Sequence, residues 1–517
     1  MVKYINNNSG FNSWNAMQNQ QKKESKSLGF FAWLVLFLLV WWLLSVFFQP
    51  QKEQTQSQQT ITIETSELES HKIDSDKVSL DVRGLRISNI ELKDYHKTST
   101  SLDAVSLLDG ENNFVEIGLI SVDTQTPNIN TKWNINENNM VWKNDAKIVF
   151  ERDISVKDYV IKISDTIKNN SKNEISVSPY MRMISGATNA KSAAVETGGV
   201  VYANSDLNYA NWMKLNKKSY AYSTVRGSLG FADQYWETIA SVDANDQTIS
   251  LKKNGDLYFA DTSVAPVKVA PGDSATIDTY VFAGPRIGKV LNSASDNIPG
   301  ISKTMDYGWF WFFAQPMLWT INWLYALVGN YGLAIILMTL ILRLLIWPLT
   351  RKSYATTMAM QKMQPEMQRV QKLYANDKAR LQIEMMKIYQ THKTSPMSGC
   401  LPMLIQIPIF FALYKALLIS VPMRTAHFLW ISDLAAMDPY FILPIIMGAT
   451  MWLQQVLQSP KTQKTNDVMA STQRFMKWMP VLFTVMFAWM PAGLVLYWTV
   501  SNIFSIFQMY IIKKTMK

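Results

Sequence analysis

Cysteine is almost absent from this 517-residue chain: Cys400 stands alone, so no intramolecular disulfide can form and each folded part must rest on its own apolar core. Histidine is nearly as scarce. His71 and His96 sit without metal-ligand spacing and read as ordinary surface or core residues. No GxxxxGK[ST] phosphate loop, HExxH or GxSxG occurs, which leaves no motif for a nucleotide motor, a zinc protease or a serine hydrolase. The expectation is a protein that is not an enzyme, with no cofactor and no metal. The apolar runs show no matching pair of broken helices of the kind an inverted-repeat transporter uses, and they contain no Asp or Glu.

What is abundant is apolar. The chain is 48% hydrophobic, with 18 Trp and 28 Met, yet its mean hydropathy is near zero. Polar and apolar material must therefore be segregated, as in a membrane protein with a large soluble domain.

Six segments satisfy the length and polarity of membrane-spanning helices. After a polar tail, 1–28, the first is 29–48, preceded by Lys22, Lys23 and Lys26 and followed by QPQKEQ without a small-residue cleavage site, so an uncleaved anchor is expected. A Gln/Thr/Ser linker, 49–60, follows. Tyr307 to Leu342 contains no charge at all; as one helix it would be about 54 Å long against a hydrocarbon core of ~30 Å. It must be two elements, broken at Gly329-Asn330-Tyr331-Gly332. Residues 307–330, with Trp319, Trp323 and Leu327 at four-residue spacing, suit a helix lying among lipid headgroups. Residues 331–350 span and carry Arg343. The remaining spans are 401–421, 440–457, 475–490 and 494–512, the last two joined only by Pro491-Ala492-Gly493. The fifth is short and has Lys477 in its first turn, which local thinning or snorkelling accommodates.

Orientation follows from Lys and Arg in the short loops. Residues 351–400 carry nine basic residues against Glu366, Asp377 and Glu384, and 458–477 carry four against Asp467. The tail 513–517 adds Lys513, Lys514 and Lys517, whereas the alternate loop, 422–439, has one basic and two acidic residues. Both termini are thus expected in the cytoplasm. The long segment 49–308, with 27 Lys and Arg against 33 Asp and Glu, lies outside at −6, and the rest of the chain stands at +16. The net +10 is a topology charge rather than a nucleic-acid footprint, so DNA is not a partner. Within 61–306, alternating runs such as YVIKIS at 159–164 and ISVSPYMRM at 175–183 read as strands of a β-sandwich.

The cytoplasmic loop 351–400 repeats apolar residues at three- and four-residue spacing: Met360, Met363, Met367, Val370 and Tyr374, then Leu381, Met385 and Ile388 beyond Asn376-Asp377. Two antiparallel helices sharing a seam are expected. Its methionines also suit a surface that accepts many apolar partners, which makes Met360, Met363, Met367, Met385 and Met386 candidates for contact with emerging hydrophobic chains.

A sparse polar set lies within the spans: Thr339, Arg343, Gln406, Thr484, Tyr497, Thr499, Ser501 and Asn502. Thr484, Thr499 and Ser501 read as helix glue. Arg343 differs, because with no acidic residue in any span it must meet carbonyls and hydroxyls or stay wet, and staying wet requires a cavity.

The stretches GNYGLAIILMTLILRLLIWPLT, MQPEMQRVQKLY, SPMSGCLPMLIQIPIFFALYKAL, DPYFILPIIMGATM and KWMPVLFTVMFAWMPAGLVLYWTVSN together resemble the YidC/Oxa family of membrane protein insertases. The likeness covers about 300–517, and the first span, external domain and VFAGPR at 281–286 resemble the Gram-negative form. It implies a polytopic α-helical protein of the inner membrane with six transmembrane helices, five of them forming a core around a hydrophilic groove closed on the outside, and with a large periplasmic β-super-sandwich domain. It also implies Arg343 and Thr339 as groove residues, and Gln406 and Tyr497 of the polar set, with Trp498, are taken as groove candidates beside them. Trp498 stands where the family usually has a second Tyr, and Lys415 stands where an uncharged residue is expected and would snorkel. The implied partners are nascent membrane proteins, membrane lipids, the Sec translocon and, through the short basic tail, the translating ribosome. A channel or transporter, and a chaperone acting only with Sec, remain as alternatives.

Overall fold

A computed structural model describes residues 68–98, 101–109, 112–186, 197–392, 401–458 and 467–515. The expected tail 1–28, anchor 29–48 and linker 49–60, together with Cys400, lie outside the described residues.

Among the described residues, the polar half of the chain folds as two antiparallel sheets of ten and nine strands. Period-two patterning decides this. The strand Val160–Asn169 buries every second residue, with Ile161, Ile163 and Ile167 fully inside, and the next strand, Ile175–Gly186, buries Ile175, Val177, Met181 and Met183 from the opposite sheet. Each sheet thus presents one apolar face to the other. Trp236–Val242 is buried on both faces. On it, Glu237 accepts from the Thr304 hydroxyl of the chain that leaves the sandwich, at 2.8 Å.

Two short helices accompany the sandwich among the described residues, α1 (Trp212–Leu215) and α2 (Gly288–Ala294). The exit segment runs through α2 to a 3₁₀ turn at Ile301–Thr304, burying Leu291, Ala294, Ile298 and Ile301. The fully buried Arg286 clamps it: the guanidinium donates to the Asp233 carbonyl at 2.8 Å, to the Tyr209 hydroxyl at 3.1 Å and to the Thr304 carbonyl, and lies 3.4 Å from the Glu237 carboxylate. Burial pushes Glu237 up to about 7, against the Arg286 charge and a hydrogen bond from Thr304.

Eight helices follow among the described residues: α3 (Trp311–Val328), α4 (Tyr331–Leu345), α5 (Trp347–Leu373), α6 (Lys378–Thr391), α7 (Leu401–Ile419), α8 (Ile442–Gln458), α9 (Asp467–Phe487) and α10 (Ala492–Thr515). The turn between α3 and α4 has two local causes. Gly329 adopts φ +67°, a left-handed value that ends α3, and the Asn330 side chain accepts from the Leu333 amide to start α4. By length and composition α10 can cross a membrane alone, and α4 with Trp347–Met360 can do so as one span bent by 61°. The apolar stretches Gln406–Ile419, Ile442–Gln458 and Lys477–Phe487 are shorter.

Within the expected span 331–350 the helix is bent rather than straight: α4 stops at Leu345 and a new helix starts at Trp347. Pro348, in the first turn of α5, lacks an amide proton and excludes the helical carbonyl behind it, so the ladder breaks there. One apolar core joins α3, α4, α7, α8, α9 and α10. Close approach matters in it, since a Cβ on Gly448 of α8 would stand 1.9 Å from the Thr484 hydroxyl of α9.

The segment between α7 and α8 folds back over one end of this bundle. Met423, Ile431 and Leu434 are buried in its core, and the Ala436 and Leu434 carbonyls accept from the Ala492 and Gly493 amides. Asp438, fully buried, accepts from the Leu443 amide at 2.7 Å and from the Trp430 indole at 3.1 Å. Arg424 from this segment reaches the sandwich, donating to the His96 and Lys97 carbonyls and lying 5.7 Å from the Tyr235 and Trp236 rings.

Candidate functional site

Helix α4 presents Arg343 in its last turn, half-buried, opposite α10. The Nε donates to the Ser501 hydroxyl at 2.8 Å, and Nη2 donates to the same oxygen. Among the described residues no carboxylate pairs with Arg343. The Tyr497 hydroxyl, one helical turn before Ser501, accepts from Gln406 Nε2 of α7 at 2.7 Å. A chain of polar contacts therefore links α7, α10 and α4 through Gln406, Tyr497, Ser501 and Arg343.

The other groove expectations take different places. Thr339 is fully buried and spends its hydroxyl on the Ile335 carbonyl of its own helix, at 2.6 Å. Trp498, about 100° further round α10 than Tyr497, packs among Phe410, Phe483 and Phe487 with ring centroids 5.6, 6.2 and 5.1 Å away. Thr484 and Thr499 bond back to the Pro480 and Val495 carbonyls of their own helices. Asn502 ties α10 to α8 through the Thr450 hydroxyl at 3.3 Å. Ser501, read from the sequence as glue, does join two helices, and it does so by holding Arg343.

Three participants escape a residue-by-residue reading. Ser505 and Gln508 are buried on the same α10 stripe as Tyr497 and Ser501, and Gln508 Nε2 donates to the Arg343 carbonyl at 3.4 Å. Tyr354 of α5 stands beside Gln458, 3.4 Å from its amide. The signal was the spacing 497, 501, 505 and 508, four-four-three, which aligns polar residues along one helix face.

The arrangement holds a permanent cation at the edge of an apolar bundle by neutral groups alone. Such a cation attracts a carboxylate more strongly than it would in water, because local screening is weaker, and a guanidinium offers paired donors for it.

In the α5–α6 hairpin, Met363 and Met367 are buried against Ile388, with Met360, Val370, Met385 and Tyr389 around them. These side chains form the seam. Of the candidate methionines Met386 alone is exposed, at 51%, so Met363 and Met367 are corrected from contact surface to core: their spacing turns them inward. Lys415 does not snorkel; it forms an ion pair with Asp306, ahead of α3.

Residues 70–320 match the YidC periplasmic domain family, and residues 323–517 match the 60Kd inner membrane protein family. The membrane protein insertase YidC of Magnetococcus marinus is 36% identical over 414 residues, covering 76% of this chain and 73% of its own. The insertases of the same name in Brucella suis and Rickettsia typhi are each 34% identical, covering 83% and 84% of this chain and 78% and 85% of theirs. A crystal structure of an active YidC insertase with its first transmembrane domain resolved aligns over 85% of this chain and 93% of its own, at 19% identity and a TM-score of 0.37.

Proposed function

The chain belongs to the YidC family of membrane protein insertases, an inner-membrane protein with a periplasmic domain, and from that premise we propose that it receives newly made membrane proteins at the Arg343 site and releases them sideways into lipid. Arg343 held by Ser501, with no acidic partner among the described residues, carries this reading. A hydrated recess lowers the cost of keeping that charge within the membrane's thickness. The same charge draws in the acidic or polar tail that a substrate must move across. The apolar segment of the substrate then partitions outward, driven by burial of its own surface at ~25 cal/mol per Å², and no nucleotide is consumed.

In this proposal the six spans are 29–48, 331–350, 401–421, 440–457, 475–490 and 494–512, with five of them forming the core. Both termini and the hairpin 351–400 face the cytoplasm. Residues 61–306 are periplasmic, and 307–330 lie at the lipid headgroups. The fold-back segment between α7 and α8, which buries Met423, Ile431 and Leu434, supports closure of the groove on the periplasmic side. Arg343 and the half-buried Gln406 receive the polar tail, Tyr497 holds Gln406 from within the packing, and Thr339 and Trp498 shape the walls. Met386 and the hairpin meet the emerging chain. The protein works alone or with the Sec translocon, and its basic tail touches the ribosome weakly. The test is reconstitution of the purified chain into liposomes without Sec. Insertion of a small two-span substrate is the expected result, and none at all would remove autonomous insertion.

A further inference from the structure

A guanidinium has two edges that offer parallel N–H pairs, one along Nε and Nη2, the other along Nη1 and Nη2. Ser501 takes the first edge with a single oxygen. No hydrogen bond to Nη1 occurs among the described residues, so the second edge is the one left for a guest. Three features hold this arrangement in place. Ser501 is buried, at 2% exposure, on a helix fixed to α8 by Asn502 and Thr450. The adjoining Tyr497 hydroxyl is held by Gln406. The Arg343 backbone carbonyl accepts from Gln508 on the same α10 stripe.

We infer that Ser501 is the positioning residue of the site: it pins the Nε edge of Arg343 so that the Nη1–Nη2 edge is presented to a carboxylate on the incoming polar tail. The inference rests on the proposed role of Arg343 and adds a residue that acts only through it. Without the hydroxyl, the long Arg side chain regains several rotamers. The cation then remains, but its donor pair is no longer aimed. A role confined to helix packing would lower insertion of every substrate alike, whereas a positioning role lowers insertion of acidic tails selectively.

The experiment measures insertion rates of one substrate, bearing an acidic or a neutral tail, into proteoliposomes containing the full chain at equal amounts. The variants are Ser501→Ala, Ser501→Thr, Arg343→Ala and the Arg343→Ala/Ser501→Ala pair. Expected is a loss of about tenfold for the acidic tail in Ser501→Ala, the size of one hydrogen bond to a charged group, with the neutral tail nearly unaffected. Ser501→Thr, which keeps the hydroxyl, retains most of the rate, and the double variant is no worse than Arg343→Ala. If Ser501→Ala does not accumulate, Ser501→Cys keeps the size while offering only a weak acceptor, and the same selective loss is expected. Equal loss on both tails, or a double variant clearly below Arg343→Ala, overturns the positioning role. If Arg343→Ala is selective and Ser501→Ala is not, the positioning role alone fails; if Arg343→Ala is not selective, the proposed role of Arg343 fails and takes this inference with it.

Discussion

Asp306→Asn tests whether the junction between the sandwich and the helices is held by charge. Lys415 and Asp306 form an ion pair whose side chains are only 12% and 23% exposed. Burial alone would raise the Asp306 carboxyl, but the Lys415 ammonium, its hydrogen bond and the Gly308 amide outweigh that and hold it below the usual carboxylate range. Removing the carboxylate leaves an ammonium half out of water. Breaking a fully buried pair costs about 3 to 5 kcal/mol, and the residual exposure here lowers the expectation to about 2 kcal/mol. Because the folded carboxyl is depressed, the contribution is present above the usual Asp pKa near 4 and is lost as pH falls below it. The assay is reversible denaturation of the full chain in detergent, followed by Trp fluorescence at pH 7 and at progressively lower pH. Asp306→Asn should lower the midpoint at pH 7, its difference from the parent should shrink as pH falls, and Lys415→Met added to it should recover most of the loss. Parent-like stability of Asp306→Asn, or a double variant no better than the single, would refute the reasoning.

An internal deletion of 65–264 is expected to leave insertion largely intact but to lower thermal stability of the helical part, since Arg424 loses the His96 and Lys97 carbonyls and the Tyr235 and Trp236 rings; complete loss of insertion in a stably accumulated deletion would contradict this. Met386→Ser, on the exposed face of the hairpin, should slow insertion without loss of folding, whereas Met363→Ser in the seam should destabilise by about 2 kcal/mol or more; unchanged insertion kinetics for Met386→Ser would return that residue to simple surface. Burial raises Glu237 to about 7 from an ordinary 4.5, so the native state holds its proton more tightly, and stability should fall as pH rises between those values, by about 3 kcal/mol at most. Glu237→Gln should flatten that slope in denaturation of the full chain, and an unchanged slope would show that another group sets it.

Much of the architecture was legible because its causes are local. Alternation in YVIKIS and ISVSPYMRM marked strands that bury every second residue, and Gly329-Asn330 carried its own turn chemistry. The bend at Ile346 was legible in Pro348, but an apolar run through Leu349 hid it, because hydropathy records burial and not hydrogen bonding. Ser501 and Gln508 stood out only as members of a polar stripe, and their partner was hidden for another reason. Their role depends on what α4 places opposite α10, and such a pairing, 158 residues apart for Arg343 and Ser501, leaves no local mark. Lys415 is the same case, since its partner Asp306 lies 109 residues away.

In the proposed function Arg343 works by its charge on the translocated tail. The direct measurement is insertion of one small substrate with acidic, neutral or basic tails into vesicles containing the parent, Arg343→Lys, Arg343→Ala or Arg343→Glu at equal levels. Arg343→Lys should keep much of the activity, since Lys keeps the charge though not the planar fork. Arg343→Ala should harm acidic tails more than neutral ones, and Arg343→Glu should harm acidic tails most. A uniform defect across all three tails would contradict the account and leave Arg343 as a brace between helices.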